Sequence, residues 1–423
     1  MDNSLKYRLL IFSVALFAFL PAFAGEHKVR TGIEVLEKHG FWELEGRRVG
    51  LVTNPSGVDS HLRSTIDILN EAENVELVAL FGPEHGVRGD VYAGDEVSDA
   101  VDARTGLKVY SIYGRFREPS QEMLDGIDVM VYDIQDVGTR SYTFISTLGL
   151  VMRACAKKGI EVVVLDRPNP LGGEKVEGCN VEPGFFSFVG EFSIPYIYGL
   201  TVGELALLIN EEGMNCGQRG NEAPLKCKLT VIPMEGWHRR MLYTDTGLPW
   251  VLPSPNIPYP QSAVNYPSAG IAGELYGYIN IGIGYTLPFE TFAASWIDAD
   301  ALKDELDSYC LPGVAFRTIH YKPTAGSSSG KLIHGVQYFY TDYGAAQISL
   351  TQFYVMQALH RLYPARNPFT MASGRTAMFD KVCGTDYVRK TFSERLEVSD
   401  IVDYWTKDVE AFKALSRKYH LYK

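Results

Sequence analysis

Short apolar runs that stop in clusters of polar residues recur through the first half of this chain. Four such runs, at residues 49–53, 77–81, 129–132 and 162–165, are each followed directly by polar side chains. Continuous Val, Leu and Ile runs of this length are typical of strands that are buried on both faces of a parallel sheet. Because ligands bind beyond the carboxyl ends of such strands, the pattern predicts a polar cleft at one edge of the sheet.

Segments with helical periodicity separate these apolar runs. Residues 64–70, 143–158 and 201–212 fit helices, and the last segment begins with Thr201 followed three positions later by Glu204, the arrangement of a capping box. Strands that alternate with helices predict an α/β domain built on a mostly parallel sheet.

The pattern changes after a further strand predicted at residues 229–234. Residues 247–260 are dense in proline, which excludes regular helix and central strand. Such a segment could be a linker, but its aromatic residues and Asn256 fit a cleft-lining loop at least as well. We place the domain boundary at residue 265, which gives an α/β domain over residues 25–265 and a smaller α+β domain over residues 266–423. In the second domain the pattern predicts strands at 277–285, 314–320 and 336–341, and helices at 346–362 and 401–419.

The first 24 residues have the three regions of a secretory signal peptide. Two basic residues precede an apolar stretch at residues 9–20, and Ala22-Phe23-Ala24 supplies small residues for a cleavage site. The apolar stretch is too short to span a bilayer comfortably, and Gly25 is not a cysteine that could carry a lipid. We therefore expect cleavage after Ala24, no membrane anchor, and a protein that is periplasmic or secreted.

Charge and cysteine content narrow the range of partners. The net charge of −11 argues against nucleic acid and anionic membranes as partners. The six cysteines form no C-x-x-C pair, which argues against a zinc cluster, although an oxidising compartment would permit a disulfide between Cys216 and Cys227. The chain lacks a phosphate loop, a nucleophile elbow and a complete dinucleotide fingerprint, so we expect no cofactor.

Glu84 is the strongest candidate for a catalytic residue. It follows Gly82-Pro83 at the exit of a predicted strand, where its carboxyl group should project from the sheet edge. A carboxylic acid in a partly dry cleft can donate a proton to a leaving oxygen. The alternative is that Glu84 caps a turn or pairs with Arg88. The neighbouring polar clusters favour the catalytic interpretation.

Asp133 and Asp136 are candidates for the second carboxylate of a two-carboxylate glycosidase. The alternative is that one of them pairs with Arg140 to fix the loop. Arginines in the polar clusters could bind a substrate carboxylate in bidentate fashion, and the candidates are Arg88, Arg140 and Arg167. The other candidate substrate ligands are Asn54, His85, Gln135, Tyr142 and Asn256. His85 and nearby carboxylates could also hold a divalent cation, but no spacing requires it and we expect no metal.

Longer stretches of the sequence resemble the NamZ-type exo-β-N-acetylmuramidases, a bacterial glycoside hydrolase family. The similar stretches are residues 53–59, 81–90, 133–143, 164–173, 199–206, 247–250, 253–258 and 288–290. The resemblance implies a Rossmann-like N-terminal domain, a smaller C-terminal domain and a cleft between them. It also implies hydrolytic release of N-acetylmuramic acid (MurNAc) from the non-reducing end of peptidoglycan fragments (muropeptides, MurNAc-GlcNAc). Glu84 lies in the P-E-H-G motif whose glutamate is assigned as catalytic in that family.

The sequence departs from the family pattern in one place. Many members carry E-G-T-N followed by G-R-G-T where this chain has residues 273–286, and the arginine position falls on Ile283. Glu274 is a candidate to replace the displaced glutamate and to contact substrate. Two other functions stay open at this point: a non-catalytic periplasmic protein that binds muropeptides, and a metal-dependent hydrolase.

Overall fold

The first half of the chain folds around a seven-stranded sheet. A computed structural model describes residues 29–84, 86–89, 100–114, 116–217 and 219–423. The strands of this sheet are β1 (Arg48–Thr53), β2 (Glu76–Gly82), β3 (Ala100–Val101), β4 (Lys108–Ser111), β5 (Val129–Asp133), β6 (Glu161–Leu165) and β7 (Leu229–Ile232). Their spatial order is β3-β4-β2-β1-β5-β6-β7, and every neighbouring pair is parallel except β3 with β4. The predicted α/β fold class is confirmed.

Helices cover both faces of this sheet, which explains the continuous apolar runs. Alternate residues of one strand enter different hydrophobic clusters: Val129 and Val131 pack on one face, and Met130 and Tyr132 on the other. The first face is covered by α1 (Gly32–Lys38) and α2 (Thr65–Glu71), and the second by α3 (Phe144–Lys158) and α4 (Val202–Glu211). The capping box predicted at the start of α4 is present.

The strand order places a topological switch point between β1 and β5. The chain runs from β1 to β2 and β4 on one side of β1, and then returns to β5 and β6 on its other side. The crevice beyond the carboxyl ends of the strands at such a point is where ligands bind in α/β sheets. The segments that follow β2 and β5, and hence Glu84 and Asp136, emerge at this edge.

The second half of the chain combines a small sheet with helices. An antiparallel sheet in the order β8-β10-β9 contains β8 (Thr291–Ala294), β9 (Val314–Tyr321) and β10 (Ile333–Tyr340). The helices are α5 (Pro260–Gly273), α6 (Ala299–Ser308), α7 (Thr351–Leu362), α8 (Pro368–Met371), α9 (Thr376–Cys383), α10 (Tyr387–Arg395), α11 (Val402–Thr406) and α12 (Val409–Ser416). Residue 265, the predicted domain boundary, lies inside α5.

Some predictions for the second half are wrong. Residues 277–285 are not a strand, because Gly277, Gly282 and Gly284 adopt positive φ angles of 93°, 88° and 82° that turn the chain away from an extended path. The helix predicted at 401–419 is divided into α11, α12 and a 3₁₀ turn. All six cysteines lie in the described part of the chain and are unpaired, including Cys216 and Cys227, between which the sequence would permit a disulfide.

One hydrophobic cluster spans the two halves of the chain. The buried Trp405 indole packs against Tyr196 of the first half and Phe353 of α7, with ring centroids 5.9 and 5.7 Å apart. The same cluster contains Val137, which follows β5. Within the described residues we find no helix with the length and apolar character needed to cross a membrane.

Candidate active site

An open cleft of about 350 Å³ lies between the carboxyl edge of the large sheet and the second half of the chain. Glu84, after β2, and residues 141–143, after β5, form one wall. The opposite wall consists of α5 and the loop that follows it. The described lining residues are Glu84, Ser141, Tyr142, Thr143, Ser254, Asn256, Tyr266, Gly270, Gly273, Glu274, Ile281, Ile283 and Phe289.

A tyrosine orients the Glu84 carboxyl group in this cleft. Glu84 is half-buried, and Tyr113 Oη donates a hydrogen bond of 2.9 Å to its Oε1 atom. Burial raises the pKa of Tyr113 to about 12, and the negative charge of Glu84 acts in the same direction. The phenol therefore stays protonated at neutral pH and remains a hydrogen-bond donor to this carboxylate.

Glu274 supplies a second carboxyl group to the cleft. It caps the carboxyl end of α5, where Arg375 Nη2 lies 2.8 Å from its Oε2 atom and Arg375 Nε donates to its backbone carbonyl. Burial raises the pKa of Glu274 above its ordinary value, and the charge of Arg375 opposes this effect. The cleft thus contains two carboxyl groups from different halves of the chain, Glu84 and Glu274.

Tyr266 lies within electrostatic range of three carboxyl groups. Its hydroxyl lies 3.0 Å from Ser141 Oγ, and its ring packs edge-to-face on Tyr142 with centroids 5.2 Å apart. Burial raises the pKa of Tyr266, and the charges of Glu274, Glu84 and Asp136 act in the same direction. Sequence reasoning missed Tyr266, because the prolines of α5 obscured the helix. The small residues Gly270 and Gly273, one turn apart on the cleft side, were the available signal.

Asp133 does not reach the cleft. It is fully buried, and both of its carboxylate oxygens accept hydrogen bonds from the Arg167 guanidinium, with Nη2 2.8 Å from Oδ2. Thr65 Oγ1 also donates to Oδ2, and Arg167 Nη2 donates to the Val58 carbonyl at 2.8 Å. This ion pair joins the exits of the neighbouring strands β5 and β6, and it leaves neither residue directed towards a substrate in the cleft.

Asp136 lies behind the cleft wall. One of its oxygens accepts hydrogen bonds from Tyr198 Oη and from the Gly138 amide at 2.7 Å, and the other has no hydrogen-bond partner among the described residues. Burial raises the pKa of Asp136 to about 6 against the opposing effect of the Tyr198 hydrogen bond. Asp136 is therefore not a described lining residue of the cleft. Its charge acts on Tyr142 and Tyr266, which do line the cleft.

Comparisons with known proteins place the chain in a family. The models for the N-terminal and C-terminal domains of exo-β-N-acetylmuramidase NamZ match residues 49–261 and 264–422. The chain belongs to the NamZ family of exo-β-N-acetylmuramidases. It is 42% identical over 399 residues, or 94% of its length and 92% of the relative's, to the peptidoglycan β-N-acetylmuramidase NamZ of Bacillus subtilis strain 168. The resemblance found in the sequence motifs is confirmed.

Solved structures agree with this assignment to the NamZ family. A DUF1343 family protein from Bacteroides fragilis NCTC 9343 superposes with a TM-score of 0.89 at 53% identity, over 94% of this chain and 100% of that chain. A second DUF1343 protein from the same organism gives a TM-score of 0.73 at 28% identity, over 93% and 99% of the two chains.

The arginines predicted to bind a substrate carboxylate are each bound by other groups of the protein. Arg140 is fully buried, and its two terminal nitrogens donate to four backbone carbonyls, those of Cys179, Ile194, Val382 and Cys383. Arg88 pairs with Asp102, Nε lying 2.6 Å from Oδ1, and with Asp67 at 3.2 Å. Arg167 pairs with Asp133, as described above. None of these three side chains is among the described residues that line the cleft.

The remaining predicted ligands of the NamZ chain divide into two groups. Tyr142 and Asn256 line the cleft. Asn54 and Gln135 are buried, and their side-chain amides donate to the carbonyls of Pro253 and Pro168. His85 lies outside the described residues. The structure therefore brings Glu84, Tyr142, Asn256 and Glu274 together; the other described candidates are buried, except Arg88, which is exposed but paired with Asp102 and Asp67.

A second cavity shares no described lining residue with the cleft and does not change this assignment. The cavity, of about 430 Å³, lies at the junction of residues 171–177 with residues 343–350. Its carboxylates are occupied, since Glu177 accepts from the Ile348 and Ser349 amides and Glu174 pairs with Arg240. Among the residues that the structure describes, no three His, Cys, Asp or Glu side chains are grouped to hold a metal ion.

Proposed function

We propose that this NamZ chain is an exo-acting glycosidase that hydrolyses the β-linkage of a terminal N-acetylmuramic acid at the non-reducing end of peptidoglycan fragments. The observation that carries the proposal is that Glu84 and Glu274, contributed by different halves of the chain, line one cleft at the switch point of the sheet. The relative from Bacillus subtilis is named as a muramidase that acts on peptidoglycan.

Glu84 is the general acid and base of this proposal. It donates a proton to the glycosidic oxygen while the bond from that oxygen to the anomeric carbon breaks, and the leaving sugar departs as an alcohol. Positive charge develops on the muramyl ring, where the carboxylate of Glu274 stabilises it. A water molecule then adds to the anomeric carbon and gives a proton to the Glu84 carboxylate, which restores the acid, so the products are free N-acetylmuramic acid and the shortened fragment. Tyr113 holds the Glu84 carboxyl group in one orientation.

The order of sugars in the substrate tests the direction of attack. We expect the purified protein to release N-acetylmuramic acid from the disaccharide MurNAc-GlcNAc and to leave GlcNAc-MurNAc intact, as followed by mass spectrometry. Binding of both disaccharides without cleavage would contradict the enzyme and favour a muropeptide-binding protein. Activity that is lost with a chelator and restored by a divalent cation would instead favour a metal-dependent hydrolase.

We also propose that the protein is exported, because peptidoglycan lies outside the cytoplasmic membrane. The support comes from residues 1–24, which have the basic, apolar and small-residue regions of a signal peptide. We expect the protein purified from the periplasm or medium to begin at Gly25 when its N-terminus is sequenced. Recovery of the protein in the cytoplasm with residues 1–24 still attached would contradict export.

A further inference from the structure

The loop after α5 forms the apolar part of the cleft wall and carries an exposed aromatic residue. Ile281, Ile283 and Phe289 of this loop line the cleft. Tyr285 lies between them in the chain and is 37% exposed, whereas Phe289 is buried. An exposed aromatic ring beside a saccharide cleft offers a flat apolar surface to a sugar.

Hydrogen bonds fix this loop on several sides. Asn280 accepts from the Gly282 amide at 2.7 Å and donates to the Ile283 carbonyl at 3.0 Å. The Phe289 amide donates to the Ile281 carbonyl at 2.7 Å, and the Thr324 amide donates to the Gly284 carbonyl at 2.7 Å. The loop therefore holds its shape before any ligand binds, which lowers the entropy cost of binding.

The ring of Tyr285 rests on a second, immobile ring. It stacks on Tyr321 with centroids 4.4 Å apart and an interplanar angle of 22°. Tyr321 is only 4% exposed, and its hydroxyl bonds to Asn280 Oδ1 at 2.7 Å and to Thr291 Oγ1 at 2.8 Å. Asn280 thus links the buried Tyr321 ring to the cleft loop. Tyr321 packs against one face of the Tyr285 ring, and Tyr285 remains exposed.

We propose that Tyr285 is the platform for the leaving sugar, the N-acetylglucosamine unit or longer saccharide bonded to the terminal N-acetylmuramic acid. This inference rests on the proposed function. An exo-acting enzyme takes the terminal sugar into the cleft, so the next sugar lies outside it, and Tyr285 is an exposed aromatic residue of the loop whose Ile281 and Ile283 line the cleft wall. The apolar face of that sugar packs on the ring, as apolar faces do on aromatic side chains.

Replacing Tyr285 by Ala tests the platform by comparing two leaving groups. For MurNAc-GlcNAc we expect kcat/KM to fall about 3- to 10-fold, mostly through KM, as the loss of one aromatic contact implies. For an N-acetylmuramyl fluoride, whose leaving group is a single atom, we expect kcat/KM to stay at the wild-type value. Tyr285→Phe keeps the ring and should restore activity on the disaccharide.

Tyr387→Ala is the matched control for Tyr285→Ala. Tyr387 is 43% exposed and also stacks on a tyrosine, Tyr404, with centroids 3.9 Å apart, but it lies in α10, which contributes no described residue to the cleft lining. We expect the Tyr387→Ala protein to cleave both substrates as the wild type does. Equal loss on both substrates in Tyr285→Ala, or no loss on either, would overturn the platform. A wild-type protein that cleaves neither substrate would refute the proposed function itself.

Discussion

Replacing Glu84 by Gln is expected to lower kcat for the release of N-acetylmuramic acid from MurNAc-GlcNAc by about 10²- to 10⁴-fold, the usual contribution of a general acid. The amide cannot donate a proton to the glycosidic oxygen, although it keeps the size of the carboxyl group. Thermal unfolding should change little, because Glu84 is half-buried and Tyr113 can still donate to the amide oxygen. Glu122→Gln, at an exposed carboxylate outside the cleft, is the control and should keep wild-type activity.

The fluoride substrate separates an acid from a nucleophile at Glu84. Fluoride leaves without protonation, so the loss of the acid in Glu84→Gln should not slow its departure from N-acetylmuramyl fluoride. Part of the activity should therefore return on this substrate, limited by the addition of water, which still lacks its base. A nucleophile would be needed for both substrates, and its loss would not be rescued. Near-normal turnover of the disaccharide by Glu84→Gln would remove this residue from the mechanism.

The parts of the fold that follow from local pattern were predictable from the sequence. Residues 129–132 and 162–165 are strands because their alternate side chains enter two different hydrophobic layers. Polar groups begin where each strand ends, so the edge of the sheet that carries Glu84 was also predictable from the sequence. The helix α5 was not predictable from the sequence, because Pro260 at its start and Pro267 in its interior are typical of a loop. Its packing against α7 supplies what local propensity lacks.

The partners of the arginines depend on spatial neighbours that the sequence does not display. Arg167 meets Asp133 because β5 and β6 are adjacent in the sheet. Arg140 meets carbonyls of Val382 and Cys383, more than 240 residues later in the chain, because α9 closes over the segment after β5. A guanidinium in a polar cluster predicts an anion or carbonyl partner. Which partner it finds is decided by tertiary packing.

Replacing Asp133 by Asn is expected to lower the free energy of unfolding by about 3–5 kcal/mol, the cost of leaving one member of a buried ion pair without its partner. Arg167 would keep only the Val58 carbonyl and the remaining amide oxygen as acceptors. Urea denaturation at pH 7.5 measures the change. Activity should fall only as far as the folded fraction falls. A stable Asp133→Asn protein with no activity would return this residue to the catalytic site.

Asp136→Asn, three residues further along the same segment, is expected to raise the free energy of unfolding relative to the wild type as the pH increases from 4 to 6, whereas Asp133→Asn lowers it. Burial raises the pKa of Asp136 from 3.8 to about 6, so between these pH values the unfolded chain loses a proton that the folded chain keeps. The wild-type free energy of unfolding therefore falls as pH rises from 4 to 6, by about 3 kcal/mol from this group. Asn cannot ionise, so the free energy of unfolding of the variant does not fall in this way. Relative to that of the wild type, it should rise as the pH increases from 4 to 6 and keep this higher value above pH 6. A stability difference between Asp136→Asn and the wild type that is the same at pH 4 and pH 7.5 would show that Asp136 is not held protonated by burial.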